Sequence, residues 1–400
     1  MKSRLPFLFV IFTVVIDSMG IGLILPVMPD LIRDLTGQGL SDAALWGGAL
    51  GFTYAAMQFL FSPTVGNLSD RFGRRRVMLL SLTAMGIDYL IMGFAGSIWL
   101  LFVARTISGI TGATYATANA VIADISPPEK RAANFGIVGA SFGIGFILGP
   151  VIGGLLGQLG PQAPFFAAGV LALANALFGY LVAPEPLPVE KRRAFVLSQG
   201  NPFKALARVH RLPGIRELLA VLLLYMIGSN VYPVVWSYWT QEKFGWDVGL
   251  VGLSLAAFGL CAALVQGGLI RVALARFSAP VVAAAGLGMN AVVYLLLVWV
   301  PNTGWLFAFL PLSALGMVVM PALQGIMSSA TAEDRQGELQ GVVSSLQAVA
   351  AIVTPLIMTA LFERFTGEDA LFYEPSMPFV ASAVLTVIAL GLFLRHQRRE

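Results

Sequence analysis

Residues 66–76 read Gly-Asn-Leu-Ser-Asp-Arg-Phe-Gly-Arg-Arg-Arg and lie between two long apolar stretches of the chain. This short segment carries four arginines and one aspartate together with two glycines. Charged side chains are costly to place in hydrocarbon. We therefore expect the segment to form a loop that emerges at one side of a membrane.

The composition of the whole chain predicts an all-α membrane protein. Of its 400 residues, 57% are hydrophobic and only 12% are charged, and the mean hydropathy is +0.81. Charged residues make up about a quarter of an ordinary soluble protein. Because a spanning helix needs about 20 apolar residues, hydropathy and helix breakers predict roughly a dozen transmembrane helices. These twelve predicted spans cover residues 5–29, 43–66, 77–96, 98–122, 133–157, 163–183, 215–240, 248–271, 279–300, 303–328, 339–362 and 375–394.

The longest gap between predicted spans divides the chain into two six-helix halves. It begins with prolines at 184, 186 and 188, followed by the basic run 191–193. We predict an N-terminal half over 1–183, a cytoplasmic linker over 184–214 and a C-terminal half over 215–400.

Short internal repeats indicate that the two halves are pseudo-symmetric. Arg71-Phe72 matches Arg276-Phe277, and Gly149-Pro150 matches Thr354-Pro355, each at an offset of 205 positions. Glu129-Lys130-Arg131 matches Glu333-Asp334-Arg335 at an offset of 204. Halves of this kind face each other across a cavity near the middle of the membrane, and they rock about it to expose the cavity to either side in turn.

The cationic residues predict the orientation. Of the 25 lysines and arginines, only Arg33, Lys243 and Arg364 fall on one side of the predicted spans, and Arg105 falls within a span. Because cytoplasmic loops carry an excess of Lys and Arg, we predict a multi-pass protein of a bacterial-type cytoplasmic membrane with both termini in the cytoplasm. Topology thus accounts for the net charge of +4, and we expect no nucleic-acid partner.

Few residues of the chain are suited to metal binding or enzyme catalysis. Its single cysteine is Cys261, and its two histidines, His210 and His396, lie outside the predicted spans. We find no zinc spacing, phosphate-binding loop or nucleophile elbow, and no large soluble domain. We therefore expect no resident metal or cofactor, and we disfavour an enzyme or a receptor.

Three charged residues lie deep within predicted spans: Asp17, Asp88 and Arg105. Each costs about 2.5–3.5 kcal/mol or more at the centre of a helix, so each is a functional candidate. A buried carboxyl group can alternate between charged and neutral forms, and we interpret the two aspartates as proton carriers, cargo contacts or both. Arg105 could hold one of them ionised. The alternative is a structural ion pair that tolerates burial.

Predicted span 5 is rich in glycine. Gly145, Gly149 and Gly153 recur every fourth residue, which leaves one face smooth enough for a neighbouring helix to approach closely. Pro150 removes a helical hydrogen bond and permits a bend. These features are typical either of a gating helix or of plain close packing.

Two motifs resemble those of a known family. The pattern G-x-L-x-D-R-x-G-R-R resembles the loop between the second and third helices of major facilitator superfamily transporters. This resemblance implies the major facilitator fold and a gating role for Gly66, Asp70, Arg71, Gly73 and Arg74. The pattern G-x-x-x-G-P-x-x-G-G resembles the signature of the drug–proton antiporters of that superfamily; it involves Gly145, Gly149, Pro150, Gly153 and Gly154.

Nearly the whole chain is similar to the tetracycline exporters of this superfamily. The resemblance implies a monomeric transporter that exchanges protons for a small amphiphilic compound, with a tetracycline-type antibiotic, which can carry Mg²⁺, as the first candidate. An uptake symporter for an organic solute is the alternative. The similarity is carried by residues 17–29, Asp88-Tyr89-Leu90, Arg105 with 108–114, Phe244-Gly245-Trp246, 321–325 and 337–341.

Two positions depart from the tetracycline exporters. Well-known members carry a histidine in span 8 and an aspartate in span 9, where this chain has Ala262 and Asn290, whereas Gln266 is kept. We therefore expect proton coupling to rest on Asp17 and Asp88. Other polar or aromatic candidates for cargo contact, each of which could instead serve in packing, are Asn119, Tyr225, Asn230, Trp236, Gln266, Asn290, Gln324 and Gln347.

Overall fold

The computed structural model describes residues 4–112, 114–194, 202–203 and 213–399. All regular secondary structure in this part of the chain is helical. A helix satisfies its backbone hydrogen bonds within itself, which hydrocarbon surroundings demand. Ten of the described helices are long and apolar enough to cross a membrane.

Apart from the short helix Met28–Thr36 and short 3₁₀ turns at 189–191, 213–215 and 333–335, the described helices correspond to the twelve predicted spans, which keep their numbers below. Four spans are built from more than one segment. In chain order they are Arg4–Ile24, Leu40–Phe72, Arg74–Gly93, Ile98–Thr111 with Thr114–Ile125, Pro128–Gly157, Ala163–Val182, Arg216–Ser229 with Val231–Phe244, Val248–Leu264 with Val265–Leu269 and Ile270–Arg276, Ala279–Trp299, Thr303–Leu315 with Gly316–Val318 and Val319–Ser329, Gln336–Thr366, and Met377–Gln397.

Two predicted boundaries were wrong at the start of the chain. Span 1 ends at Ile24, and a separate short helix covers Met28–Thr36. Pro26 lies in the turn between them, where its missing N–H cannot continue a helix. Span 2 extends to Phe72 and span 3 begins at Arg74, so that Gly73 alone separates them. The predicted loop is therefore almost entirely helical, and the left-handed φ of 104° at Gly73 makes the turn.

Contacts divide the chain into two compact units. The first unit comprises Met1–Gln38, Thr53–Asn201 and Asp247–Ala256. The second comprises Gly39–Phe52, Pro202–Trp246 and Ala257–Glu400. The long helices of spans 2 and 8 are each divided between the two units.

In the first unit, span 1 packs against spans 5 and 6, and span 3 packs against spans 4 and 6. Buried Asn175 of span 6 donates a hydrogen bond to buried Thr13 of span 1 at 3.0 Å. Such polar pairs between helices satisfy groups that the hydrocarbon could not.

In the second unit, span 12 packs against spans 7 and 9, and span 9 also packs against span 10. A cluster of aromatic rings joins spans 7 and 12. Trp239 and Phe379 meet edge to face with their centroids 4.7 Å apart, and the indole of Trp239 donates to Ser376 at 3.1 Å. Aromatic groups of this size contribute much of the packing energy of a core.

Candidate functional site

The three deep charges all belong to the first unit and are brought in by spans 1, 3 and 4. Asp17 is half-buried on span 1, and Arg105 is half-buried on span 4. Asp88 on span 3 is completely buried. The structure thus places these groups in one compact bundle, with unequal access to its surface.

The two carboxylate oxygens of Asp88 have different surroundings. Oδ2 accepts a short hydrogen bond from the hydroxyl of Ser108 on span 4. Oδ1 is buried and has no hydrogen-bond partner among the described residues. A buried polar atom without a partner is costly, and such atoms are often associated with function.

The contacts of Arg105 in the described part of the chain are with a sulfur atom and an aromatic ring. Among the described residues, none of the ion pairs within 4.0 Å involves Arg105. Its Nη2 contacts the sulfur of Met92 at 2.8 Å, and its guanidinium lies 5.8 Å from the ring centroid of Tyr54.

Span 4 is interrupted at Gly112, and a side chain of span 2 stabilises the interruption. Gln58 donates from its amide nitrogen to the carbonyl of Gly112 at 2.9 Å and to the hydroxyl of Tyr54 at 3.2 Å. A carbonyl at the end of a helical segment lacks its helical partner, and Gln58 supplies a replacement. Sequence reasoning missed this pair, although a glutamine within an apolar span was a visible signal.

The glycine face of span 5 packs against span 1. A Cβ atom added to Gly149 would lie 2.5 Å from the carbonyl oxygen of Met19, and one added to Gly153 would lie 2.8 Å from the Cα of Leu23. A Cβ at Gly145 would collide with Ser18. The smooth face therefore brings the two backbones into direct contact.

The other two residues of the span 5 motif meet the beginning of span 8, within the same unit. The carbonyl of Pro150 lies against Gly252 so closely that a Cβ there would collide with it. Gly154 lies against the backbone of residues 248–252, and a Cβ at Gly154 would be 2.9 Å from the carbonyl of Val248.

The arginine-rich turn forms a polar network in the first unit. Arg74 pairs with Asp70 at 2.5 Å and with Asp124, at the end of span 4, at 3.0 Å. It also donates to Ser69 at 2.6 Å. Three side chains, those of Ser69, Asp70 and Asp124, thus converge on one guanidinium.

The other members of the predicted gating motif take different positions. Arg71 is exposed, with its guanidinium 5.2 Å from the ring of Phe72. Gly66 lies within span 2, with open space where a Cβ would stand. Gly73 lies against the carboxylate of Glu185, which follows span 6.

In the second unit, a backbone carbonyl of span 10 gathers candidates from spans 7 and 9. Asn290 donates to the carbonyl of Gly316 at 3.0 Å, and the hydroxyl of Tyr225 donates to it at 3.4 Å. Gln266 is exposed on span 8, and its amide contacts the sulfur of Met317 at 3.7 Å. The structure thus brings three of the predicted cargo-contact residues to adjacent positions on span 10.

The remaining candidates are dispersed. Asn230 separates the two helices of span 7. Trp236 is buried in the aromatic cluster, with its ring centroid 5.4 Å from that of Trp239. Asn119 and Gln324 are half-buried, and Gln347 is exposed. Among the described residues, no group of three or more His, Cys, Asp or Glu side chains could hold a metal ion.

Comparisons with known proteins agree with this architecture. The family model of the Major Facilitator Superfamily matches residues 10–226 and 217–400. The tetracycline resistance protein, class C, of Escherichia coli is 40% identical over 363 residues, which are 90% of this chain and 91% of that protein. The class G protein of Vibrio anguillarum is 37% identical over 388 residues, 95% of each chain.

Among solved structures, the nucleoside transporter NupG superimposes with a TM-score of 0.82 over 98% of this chain and 99% of that chain. Its sequence identity is 12%, so the likeness concerns the fold alone.

Proposed function

The chain belongs to the Major Facilitator Superfamily and, within it, to the family of the tetracycline resistance proteins, and on that premise we propose that it exports a small amphiphilic compound in exchange for protons. A tetracycline-type antibiotic is the first candidate for the cargo. The relatives are named for resistance, which favours export over uptake symport.

The observation that carries the proposal is the placement of Asp17, Asp88 and Arg105 in one bundle, where none of the ion pairs of the described residues involves Arg105. A charge deep in a membrane is kept only where it is used or well paired. Asp88 is fully buried with one oxygen unpartnered among the described residues, whereas Asp17 is half-buried. We assign proton binding to both carboxyl groups and cargo contact to Asp17.

In this mechanism, a proton entering from outside neutralises a carboxylate and lowers the cost of burying it. Arg105 stabilises the carboxylate form through space after the proton leaves toward the cytoplasm. Exchange follows if the unprotonated carboxyl group is the form that takes up cargo, because proton and cargo then alternate at the same group.

The arrangement in the membrane is part of the proposal. The excess of Lys and Arg on one side of the spans supports cytoplasmic termini in a bacterial cytoplasmic membrane. The proline-containing segment 184–214 serves as the linker between halves 1–183 and 215–400. We propose that the transporter acts as a monomer without a resident cofactor, and that any Mg²⁺ involved is bound to the cargo.

Replacement of Asp17 by asparagine tests the coupling. In proteoliposomes containing a pH-sensitive dye, Asp17→Asn should abolish drug-induced proton movement, because the amide does not titrate. Asp34→Asn is the matched control, since Asp34 is exposed on the short helix Met28–Thr36. Normal coupling in Asp17→Asn would overturn the assignment.

A second experiment identifies the cargo. Inverted vesicles with an imposed pH gradient would be offered tetracycline with Mg²⁺, tetracycline with a chelator, or the cationic dye ethidium. Accumulation of tetracycline only with Mg²⁺ supports a metal-chelate cargo, and accumulation of ethidium alone indicates a broader drug exporter. Gradient-dependent accumulation of none of them would contradict the proposal.

A further inference from the structure

Spans 8 and 10 depart from α-helical geometry at neighbouring positions in the second unit. Span 10 passes through a 3₁₀ turn at Gly316–Val318, and span 8 contains a π-helical segment at Val265–Leu269. Such departures inside a helix occur frequently at functional positions. They also release backbone groups from the regular hydrogen-bond ladder, and those groups need other partners in a membrane.

The carbonyl oxygen of Gly316 finds its partners on two other spans. Asn290 donates to it at 3.0 Å and to the carbonyl of Gly286, one turn earlier on span 9, also at 3.0 Å. Tyr225 donates its hydroxyl at 3.4 Å. Asn290 and Tyr225 are only 4% and 6% exposed, so water does not readily replace them. Any side chain at position 316 would collide with the amide of Asn290.

In the first unit, span 4 is interrupted in a similar way, and a side-chain amide again binds the freed carbonyl. Gly112 lies 204 positions before Gly316, an offset that also relates the segments beginning at Glu129 and Glu333. Its carbonyl also accepts a hydrogen bond from a side-chain amide, that of Gln58 at 2.9 Å. The interruption of spans 4 and 10 at equivalent glycines is thus a repeated feature, not a local accident.

The interruption of span 10 also positions the side chain of Met317. Met317 directly follows Gly316, and its sulfur is contacted by the amide of Gln266 from the π-helical segment of span 8. Gln266 is exposed and Met317 is half-buried. Together they form a neutral, polarisable surface, because an amide and a thioether carry no charge and a thioether packs well against aromatic rings.

We propose that Asn290 is a positioning residue, which holds the Met317–Gln266 surface in place for the uncharged, aromatic part of the cargo. Asn290 does so at every pH, because its side-chain amide always carries two N–H donors. The inference rests on the proposed function and specifies which part of the cargo the second unit takes. A carboxyl group at position 290 could hold the Gly316 carbonyl only in its protonated form, since a carboxylate accepts but does not donate.

Few titratable groups surround Asn290. Span 10 has none in its sequence. Span 9 contributes Tyr294. Span 7 contributes Tyr225, Tyr232 and Tyr238, with Arg216, Glu217, Glu242 and Lys243 near its two ends. On span 12, His396 is paired with Glu217 at 3.2 Å. The others, on spans 8 and 12, are Cys261, Arg271, Arg276 and Arg395.

Two variants test the proposal. Asn290→Asp keeps the shape of the side chain and makes its donor depend on a proton, whereas Asn290→Leu keeps the approximate volume and removes the donor. Binding of tetracycline to the full-length protein in nanodiscs would be measured from pH 5.5 to 8.5, each variant against wild type at the same pH. This comparison cancels every effect of pH that the variant and wild type share, including the titration of the drug.

Asn290→Leu should bind about tenfold more weakly at every pH, which is the upper end for the loss of one hydrogen bond. Asn290→Asp should bind nearly as tightly as wild type at pH 5.5, where its single O–H can serve the Gly316 carbonyl, and should approach the same tenfold loss at pH 8.5. A ratio for Asn290→Asp that does not change with pH, or wild-type binding by Asn290→Leu, would overturn the proposal.

Hydrogen exchange separates this proposal from the proposed function. In the absence of cargo, a peptide covering 313–320 should exchange faster than in wild type for Asn290→Leu at every pH and for Asn290→Asp only at high pH. If wild type binds neither tetracycline nor ethidium, the proposed function fails while this test still applies. Exchange equal to wild type in both variants would show that Asn290 does not position span 10.

Discussion

The carboxylate of Glu185 accepts a hydrogen bond from the backbone N–H of Arg74 at 2.8 Å. Its second oxygen accepts from the N–H of Arg75 at 3.2 Å, so a residue just after span 6 caps the N-terminus of span 3. A negative charge at this end of a helix also interacts favourably with the helix dipole. The turn between spans 2 and 3 is therefore hydrogen-bonded to the segment that follows span 6.

Glu185→Gln should lower the free energy of unfolding by about 1 kcal/mol, because the amide loses the charge and offers one acceptor in place of two. Unfolding by SDS titration in mixed micelles measures the change. Glu190→Gln is the control, since Glu190 is exposed a few residues further on. Equal stability of the two variants would show that the cap contributes nothing.

Gly73→Ala should be more damaging than Gly66→Ala. Gly73 has a φ of 104°, and a Cβ there would meet the Glu185 carboxylate, so alanine adds backbone strain of about 1–3 kcal/mol. Gly66 lies inside span 2 with nothing near its Cβ position, and alanine should there stabilise the helix by about 0.5–1 kcal/mol. Thermal unfolding in nanodiscs would test whether Gly73→Ala lowers and Gly66→Ala raises the melting temperature relative to wild type.

Alanine substitutions along span 5 should divide into two classes. Gly149→Ala and Gly153→Ala should reduce the yield of folded protein and abolish transport, because each methyl group would collide with the backbone of span 1. Gly139→Ala and Gly143→Ala should retain both, since the space beside these glycines is open. Size-exclusion profiles and vesicle transport would measure the difference, and equal tolerance at all four positions would contradict the observed packing.

We expect ionisation of Tyr373 to lower the stability of the folded protein at alkaline pH. Burial and the hydrogen bond to Glu242, at 2.7 Å, raise the pKa of Tyr373 to about 12. Because the pKa is higher in the folded than in the unfolded protein, the stabilising contribution is complete below about pH 10 and is lost as the pH rises toward 12. Tyr373→Phe should show a smaller decrease in thermal stability between pH 9.5 and 11.5, and an unchanged decrease would exclude this contact as a contributor.

The sequence predicted the twelve spans and the deep position of the three charges, because apolar length and isolated ionisable residues are visible without a structure. It misplaced the boundaries where one backbone feature decides them. Span 1 ends before Pro26, five residues earlier than predicted. Spans 2 and 3 extend into the predicted loop, where Asp70 and Arg74 form an ion pair across the turn at Gly73.

Partners from distant parts of the chain could not be predicted from hydropathy. Glu185 is 111 positions from Arg74 in the sequence, and Gln58 is 54 positions from Gly112. Periodicity reports which face of a helix is apolar, whereas these bonds depend on which carbonyl or N–H has lost its helical partner. The sequence predicts Asn290 as a cargo contact, but only the geometry shows that its amide donates to the carbonyl of Gly316.

The contact between spans 1 and 5 also restricts how the gene can evolve. Every missense change of a glycine codon adds at least a Cβ atom, and at Gly145, Gly149 and Gly153 the space for that atom is already taken by span 1. No single-base amino-acid change at these codons is conservative in volume. A lineage adapting this exporter to a new compound would thus have to diversify its cavity residues while these three glycines were retained.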